Sequence, residues 1–80
     1  MNGRADGTGA GGMPEVWPGL NGTPVSCREK IKTLTENHAE LQQVMQDAFE
    51  DAVLMGVDES AMRQILSGMA AGLVSPKRGG

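Results

Sequence analysis

The side chains that could act as nucleophiles, metal ligands or acid–base groups are few in this sequence and widely spaced. Cys27 is the only cysteine and His38 the only histidine among 80 residues. On one helix these two residues would lie about 16 Å apart along the axis. That distance is too large for both to hold one metal ion, and only the pairing of two chains could bring such ligands together. The sequence therefore predicts no metal and no cofactor site within one chain.

Carboxylates occur in pairs at helical spacing. Glu36 and Glu40 are four residues apart. Asp47 is followed by Glu50 and Asp51, three and four residues further on. Residues at these spacings share a helix face and could act as a general acid and base. Catalysis also requires a pocket that tunes their pKa values, and a two-helix chain offers none. We therefore interpret these residues as a solvated acidic face and predict that the chain is not an enzyme.

The size and charge of the chain limit how it can be stabilised and what it can bind. A chain of 80 residues forms at most one domain and buries little apolar surface by itself. One cysteine allows no internal disulfide, so oligomerisation or docking onto another protein remains. The net charge of −3 disfavours binding to nucleic acid and to anionic lipid. No secretory signal and no membrane-spanning apolar run are present, which predicts a cytoplasmic protein that does not enter membranes.

Residues 1–25 are rich in residues that resist regular structure. Seven of the twelve glycines and three of the four prolines lie in this segment. We therefore predict a disordered N-terminal arm over residues 1–25. Within the arm, residues 13–20 form an apolar island around Trp17, the only tryptophan. This island either folds back onto the helices or docks into a pocket of a partner.

A long amphipathic helix is predicted after the arm. Ser26 and Glu29 have the spacing of a capping box, and no helix-breaking residue follows until Gly56. Apolar and small residues then recur at alternating steps of four and three, which is the heptad pattern of a helix that pairs with another helix. Val44, Phe49 and Val53 would widen this pattern. The heptad positions, which we call the heptad stripe, are Cys27, Ile31, Leu34, His38, Leu41, Met45, Ala48, Ala52 and Met55.

A shorter second helix is predicted next. Gly56 suits the left-handed position that ends a helix, and Asp58 is a strong N-cap residue. The short turn makes the two helices antiparallel neighbours. The predicted fold is therefore all-α, an antiparallel helical hairpin of a long and a shorter helix over residues 26–75, with a flexible basic tail over 76–80. The apolar face of the second helix consists of Met62, Ile65, Leu66, Met69 and Leu73.

The charges of the long helix lie against its dipole, which favours acidic residues at the start and basic residues at the end. Two copies that paired antiparallel, crossing near Leu41, would place the basic end of each against the acidic end of the other. We therefore predict a homodimer in which two hairpins form a four-helix bundle. Pairing of the hairpin with a different protein is the alternative. The basic cluster is Arg28, Lys30 and Lys32, and the acidic cluster is Asp47, Glu50 and Asp51.

The predicted function is that of a small non-enzymatic protein–protein interaction module. A regulator, an inhibitor, an assembly factor or an accessory subunit of a larger bacterial protein would fit the pattern. The binding energy is expected in the heptad stripe, in the face of the second helix and at the tryptophan of the arm. The predicted interface residues are Trp17, Ile31, Leu34, His38, Leu41, Met45, Ala48, Phe49, Ala52, Met62, Ile65, Leu66 and Met69.

Residues 52–66 provide an alternative. A small residue at Ala52, the pair Gly56–Val57 after three intervening residues, the polar cap at Asp58 and apolar residues beyond it resemble the helix-turn-helix pattern of bacterial repressors. That resemblance covers 15 residues of the chain. It implies a DNA-binding transcriptional regulator whose second helix enters the major groove.

Overall fold

The chain folds as two helices separated by a tight turn, in a computed structural model that describes residues 12–77. The elements are a 3-10 helix η1 at Leu20–Gly22, a long helix α1 at Arg28–Leu54 and a shorter helix α2 at Glu59–Ala71. No β-strand occurs among the described residues, which confirms the prediction of an all-α hairpin. Residues 1–11 and 78–80, which carry much of the predicted arm and tail, lie outside the described part. The chain divides into two units, Met1–Val44 and Met45–Gly80, with the boundary inside α1.

Helix α1 begins one residue later than the capping box predicted. The carbonyl oxygen of Cys27 accepts the N–H of Ile31 at 2.9 Å, which closes the first helical turn. The first residue of α1 is Arg28, so Cys27 and not Ser26 directly precedes the helix. The backbone N–H groups of Lys30 and Glu29 instead face the sulfur of Cys27. The prediction of Ser26 as the N-cap is therefore wrong, because the cysteine side chain occupies the place where a cap accepts hydrogen bonds.

The turn after α1 follows the prediction closely. Gly56 has φ +106°, a backbone conformation that residues with a Cβ rarely adopt. Its N–H donates to the carbonyl of Val53 at 3.0 Å, and the N–H of Val57 donates to the carbonyl of Ala52 at 2.8 Å. These two bonds form a Schellman motif, which satisfies carbonyl groups that the helix end leaves without partners. The turn therefore ends α1 and reverses the chain within a few residues.

Helix α2 starts at the predicted cap and ends slightly early. The Asp58 carboxylate accepts the N–H of Ala61 at 2.9 Å, and Asp58 itself is extended, as an N-cap requires. The hairpin was predicted to extend to residue 75, but α2 ends at Ala71 with Gly72 as its C-cap. The difference follows from Gly72, because glycine costs helix stability and leaves the last turn open to water.

The described part of the arm contains a closed turn. The N–H of Val25 donates to the carbonyl of Trp17 at 2.8 Å, and the N–H of Gly19 donates to the carbonyl of Thr23 at 2.9 Å. Between them Asn21 takes a left-handed conformation with φ 60°, which asparagine tolerates better than most residues. We call residues 17–25 the Trp17 clip. The prediction of a disordered arm did not include this turn.

None of residues 12–77 is buried, and the described chain has no hydrophobic core of its own. The residues that are half-buried belong to two groups, one in each unit. The first unit contains Pro14, Trp17, Gly19, Val25, Ile31, Leu34, Thr35 and His38. The second unit contains Phe49, Ala52, Val53, Ala61, Met62 and Leu66. Each unit therefore shields only one short stretch of the amphipathic helices.

Candidate protein interface

The heptad stripe of α1 is covered near its start. Ile31, Leu34 and His38, which we call the covered half-stripe, are half-buried. The edge of the Trp17 ring meets the His38 ring, with the ring centroids 6.2 Å apart and the planes at 73°. This edge-to-face arrangement is one that aromatic rings favour. The apolar island around Trp17 thus folds back onto α1, which was one of the two alternatives for it.

A shallow groove lies beside the Trp17 ring. It has a volume of about 360 Å³ and runs between the arm and the first turns of α1. Its walls are mainly apolar, so the arm rests on the helix without filling the space between them. The groove is lined by Pro14, Glu15, Val16, Trp17, Pro24, Val25, Ser26, Ile31 and Thr35. The predicted interface did not include Val25 or Thr35, because neither residue occupies a heptad position.

The middle of the heptad stripe is open. Leu41 is 59% exposed and Met45 is 39% exposed, and Ala48 is also exposed. We call these three residues the open half-stripe. Val44, next to them on the helix, is 64% exposed. An apolar row on a charged helix costs free energy when water covers it, about 25 cal/mol for each Å². Such a row is typical of a surface that another chain covers.

In the second unit, the predicted interface residues divide between the inside and the outside of the hairpin. Phe49, Ala52, Met62 and Leu66 are half-buried, so they serve the packing of the hairpin itself. On α2, Ile65 and Met69 are 53% and 66% exposed. A Cβ at Gly68 would meet no atom within 4 Å. Among the described residues, no other segment therefore approaches α2 closely at Gly68.

The charged residues of the helices are engaged locally. Lys32 pairs with Glu36 at 2.8 Å, one helical turn away, and both side chains are exposed. The amide of Gln46 donates to Glu50 at 2.7 Å. The guanidinium of Arg63 lies over the Phe49 ring, 4.6 Å from its centroid, which joins α2 to α1 by a cation–π contact. Pairs of this kind contribute little stability at an exposed surface.

Cys27 and His38 are the single cysteine and the single histidine of the sequence. Hydrogen bonds from the backbone N–H groups of Lys30 and then Glu29 lower the pKa of the Cys27 thiol below its ordinary value of 9.0, and the charge of Lys30 adds to this effect. His38 has a shielded Nδ1 atom without a hydrogen-bond partner. Within residues 12–77 no three His, Cys, Asp or Glu side chains are placed to hold a metal ion together.

The helix-turn-helix segment has the element order that its pattern implies. Residues 52–66 comprise the end of α1, the Schellman turn and the first half of α2. The start of α2 carries Asp58 and Glu59, which DNA phosphates would repel. Arg63 is the only cation of α2, and its guanidinium is stacked on Phe49. The charges of this helix therefore do not favour contact with DNA.

Comparisons with family models, with curated proteins and with solved structures give no match for this chain. Within the described residues, neither helix combines the length and the apolar character that crossing a membrane demands. The candidate site is therefore identified from the structure alone. It consists of two exposed apolar surfaces: the open half-stripe on α1, and Ile65 with Met69 on α2.

Proposed function

We propose that this chain is a protein–protein interaction module that acts by binding and not by catalysis, and that its first partner is a second copy of itself. The observation that carries the proposal is the absence of any buried residue among residues 12–77. Two amphipathic helices that shield so little of their apolar surface gain free energy when another chain covers it. Full burial of one leucine or methionine side chain contributes about 1.5–3 kcal/mol.

The heptad spacing allows a self-complementary antiparallel pairing of α1. In this register the open half-stripe of one copy packs on the covered half-stripe of the other. Leu41 then faces His38, Met45 faces Leu34 and Ala48 faces Ile31, and each of these layers occurs twice because a two-fold axis relates the copies. Such alternating layers are the geometry of helical bundles. With α2 on each side, the pair becomes the four-helix bundle.

Charge supports the antiparallel direction. In the same register Lys30 of one copy approaches Asp51 of the other beside the apolar seam, and Arg28 lies near that acidic end as well. A parallel pair would place the basic clusters side by side and the acidic clusters likewise. Exposed ion pairs contribute only about 0–1 kcal/mol each, but they decide orientation because like charges across a seam repel.

Leu41→Asp tests the seam, with Ala39→Asp as its matched control. Both substitutions add one carboxylate to the middle of α1, but residue 39 lies 200° around the helix from residue 41 and is exposed. We expect Leu41→Asp to weaken self-association by at least about a hundredfold, since two carboxylates would enter the seam and each 1.4 kcal/mol is tenfold. Sedimentation velocity and far-UV circular dichroism across a concentration series give the readouts.

The control should keep the association of the unchanged chain. The proposal fails if both variants associate equally well, or if the unchanged chain remains a monomer up to about 1 mM. A gel-shift experiment in low salt tests the alternative of DNA binding separately, since a retarded band at concentrations that leave the chain monomeric would contradict the proposal.

The direction of pairing has its own test in two charge reversals. Lys30→Glu places two acids together at each end of the pair, and Asp51→Lys places two bases together. Each variant alone should associate more weakly than the unchanged chain, while an equal mixture of the two should recover, because the mixed pair then has one ion pair of the original sign and one of reversed sign. A mixture no stronger than its components would contradict the antiparallel register.

A further inference from the structure

The Trp17 clip and the second copy need the same surface. In the antiparallel register, Ile31, Leu34 and His38 each receive a residue of the partner's open half-stripe. These three side chains are half-buried: His38 meets the Trp17 ring, Ile31 lines the groove beside that ring, and Leu34 shares a surface hollow with Val25 of the clip. We infer that the Trp17 clip is an intramolecular competitor of self-association, an autoinhibitory contact that must leave α1 before the full seam can close. This inference rests on the proposed function.

The clip is built as a unit and not as a loose strand of the arm. Hydrogen bonds between residues 17 and 25 and between residues 19 and 23 close it, and Pro18 and Pro24 form an isolated β-bridge between them. Gly19 is required there, since a Cβ at this position would collide with the carbonyl oxygen of Thr23. The closed turn limits the conformations of Trp17, so the entropy lost on docking the ring is small.

The contact of the clip with α1 is weak enough to be displaced. Trp17 is only half-buried, a groove remains beside it, and its ring meets His38 by an edge. The Nδ1 atom of His38 is shielded yet unpaired, a state that costs free energy while the clip is closed. With a tethered competitor of this kind, the apparent affinity is the intrinsic affinity multiplied by the fraction of chains in which the clip is open, once for each copy.

The variants that test this inference open the clip in two different ways. Trp17→Ala removes the ring that lies on α1, and Gly19→Ala breaks the turn by steric collision. Leu20→Ala is the matched control, because Leu20 belongs to the clip but is 73% exposed. Sedimentation velocity of the full chain should show that Trp17→Ala and Gly19→Ala tighten self-association, by roughly a hundredfold if each clip contributes 1.4 kcal/mol, because both copies must open. Leu20→Ala should leave it unchanged.

Fluorescence of the single tryptophan gives an independent readout. In the unchanged chain, the emission of Trp17 should move to longer wavelength as rising concentration drives association, because the ring leaves α1 for water. At high dilution Gly19→Ala should already show this red-shifted emission.

Two results would overturn the inference while leaving the proposed function in place: association without a change in Trp17 emission, or an affinity that Trp17→Ala leaves equal or makes weaker. Monomers at all concentrations for the unchanged chain and both opened variants would overturn the proposed function, and the inference with it.

Discussion

The turn between α1 and α2 and the Trp17 clip are both tight reversals of the chain, but different interactions hold them. The α1–α2 turn is fixed by its own residues: Gly56 supplies the left-handed conformation and Asp58 caps the next helix. The clip also closes on itself, yet its position depends on a ring contact with His38, far along the chain. Local signals thus specify the hairpin, and a weak long-range contact specifies where the arm lies.

Because of this difference, the α1–α2 turn persists as long as the helices are folded, whereas the Trp17 clip can open and close. A Schellman turn with an N-cap is lost only when the helices unfold, because backbone groups of both helices take part in it. A half-buried aromatic contact can open while the helices remain. The two regions therefore suit different tasks, the hairpin as a scaffold and the clip as a cover for part of the heptad stripe.

The largest expected effect is at the hairpin turn. Gly56→Ala places a Cβ in a left-handed conformation, at a cost of about 1–2 kcal/mol. The matched control is Gly68→Ala, where the new methyl group has open space and helix propensity rises by roughly 1 kcal/mol. Urea unfolding at one fixed protein concentration, followed by circular dichroism, should show changes of opposite sign. Destabilisation of similar size in both variants would contradict a special role for the turn.

A smaller effect is expected at the cap of α2. Asp58→Ala removes the acceptor of the Ala61 N–H and should cost about 1 kcal/mol. Asp58→Asn keeps an acceptor oxygen and should retain most of that stability. The same unfolding experiment distinguishes them. If Ala and Asn proved equivalent, the hydrogen bond at the cap would not be what stabilises the start of α2.

The contact between Arg63 and Phe49 should contribute less to stability than the Asp58 cap. Loss of the cation in Arg63→Gln removes an exposed cation–π contact, which is typically about 0.5–1 kcal/mol. A double-mutant cycle with Phe49→Leu isolates the interaction from the separate effects of each side chain. A coupling free energy indistinguishable from zero would show that the observed stacking does not hold α2 to α1.

The smallest effect is at the start of α1, and it depends on pH. The pKa of the Cys27 thiol is lowered in the folded chain by the N–H groups of Lys30 and Glu29. The thiolate therefore forms at lower pH in the folded chain than in urea. The stability that this adds is present above the unfolded pKa and is lost as pH falls through the folded pKa. The rate of alkylation by iodoacetamide, measured against pH with and without urea, should show this displacement. Coincident profiles would contradict it.

The sequence predicted the hairpin well because its signals are local. Gly56 and Asp58 act within one turn of their own positions, so residue type alone indicated their roles. The start of α1 was placed one residue early, since the serine hydroxyl was preferred over the thiol of Cys27 as a cap. The clip could not be derived, because the docking of Trp17 on His38 depends on a contact between distant parts of the chain.

The candidate interface was predicted in the heptad stripe, in the face of the second helix and at Trp17, and in the structure parts of that set are covered within the chain. Leu41, Met45 and Ala48 are exposed, as an unoccupied seam requires. Trp17 and the covered half-stripe lie against each other within the chain. Periodicity identifies which residues share a helix face, but it carries no information on whether another segment of the same chain already covers part of that face.

The most direct test of the account is the mass of the unchanged full chain in solution, measured by sedimentation equilibrium from about 1 μM to about 1 mM, the range in which modest interfaces associate. Pairing of two copies predicts a reversible rise from the monomer mass of 8.4 kDa to twice that mass. It also predicts that Trp17 emission shifts to longer wavelength over the same interval. A mass that stays at 8.4 kDa throughout would contradict the claim that a second copy covers the heptad stripe.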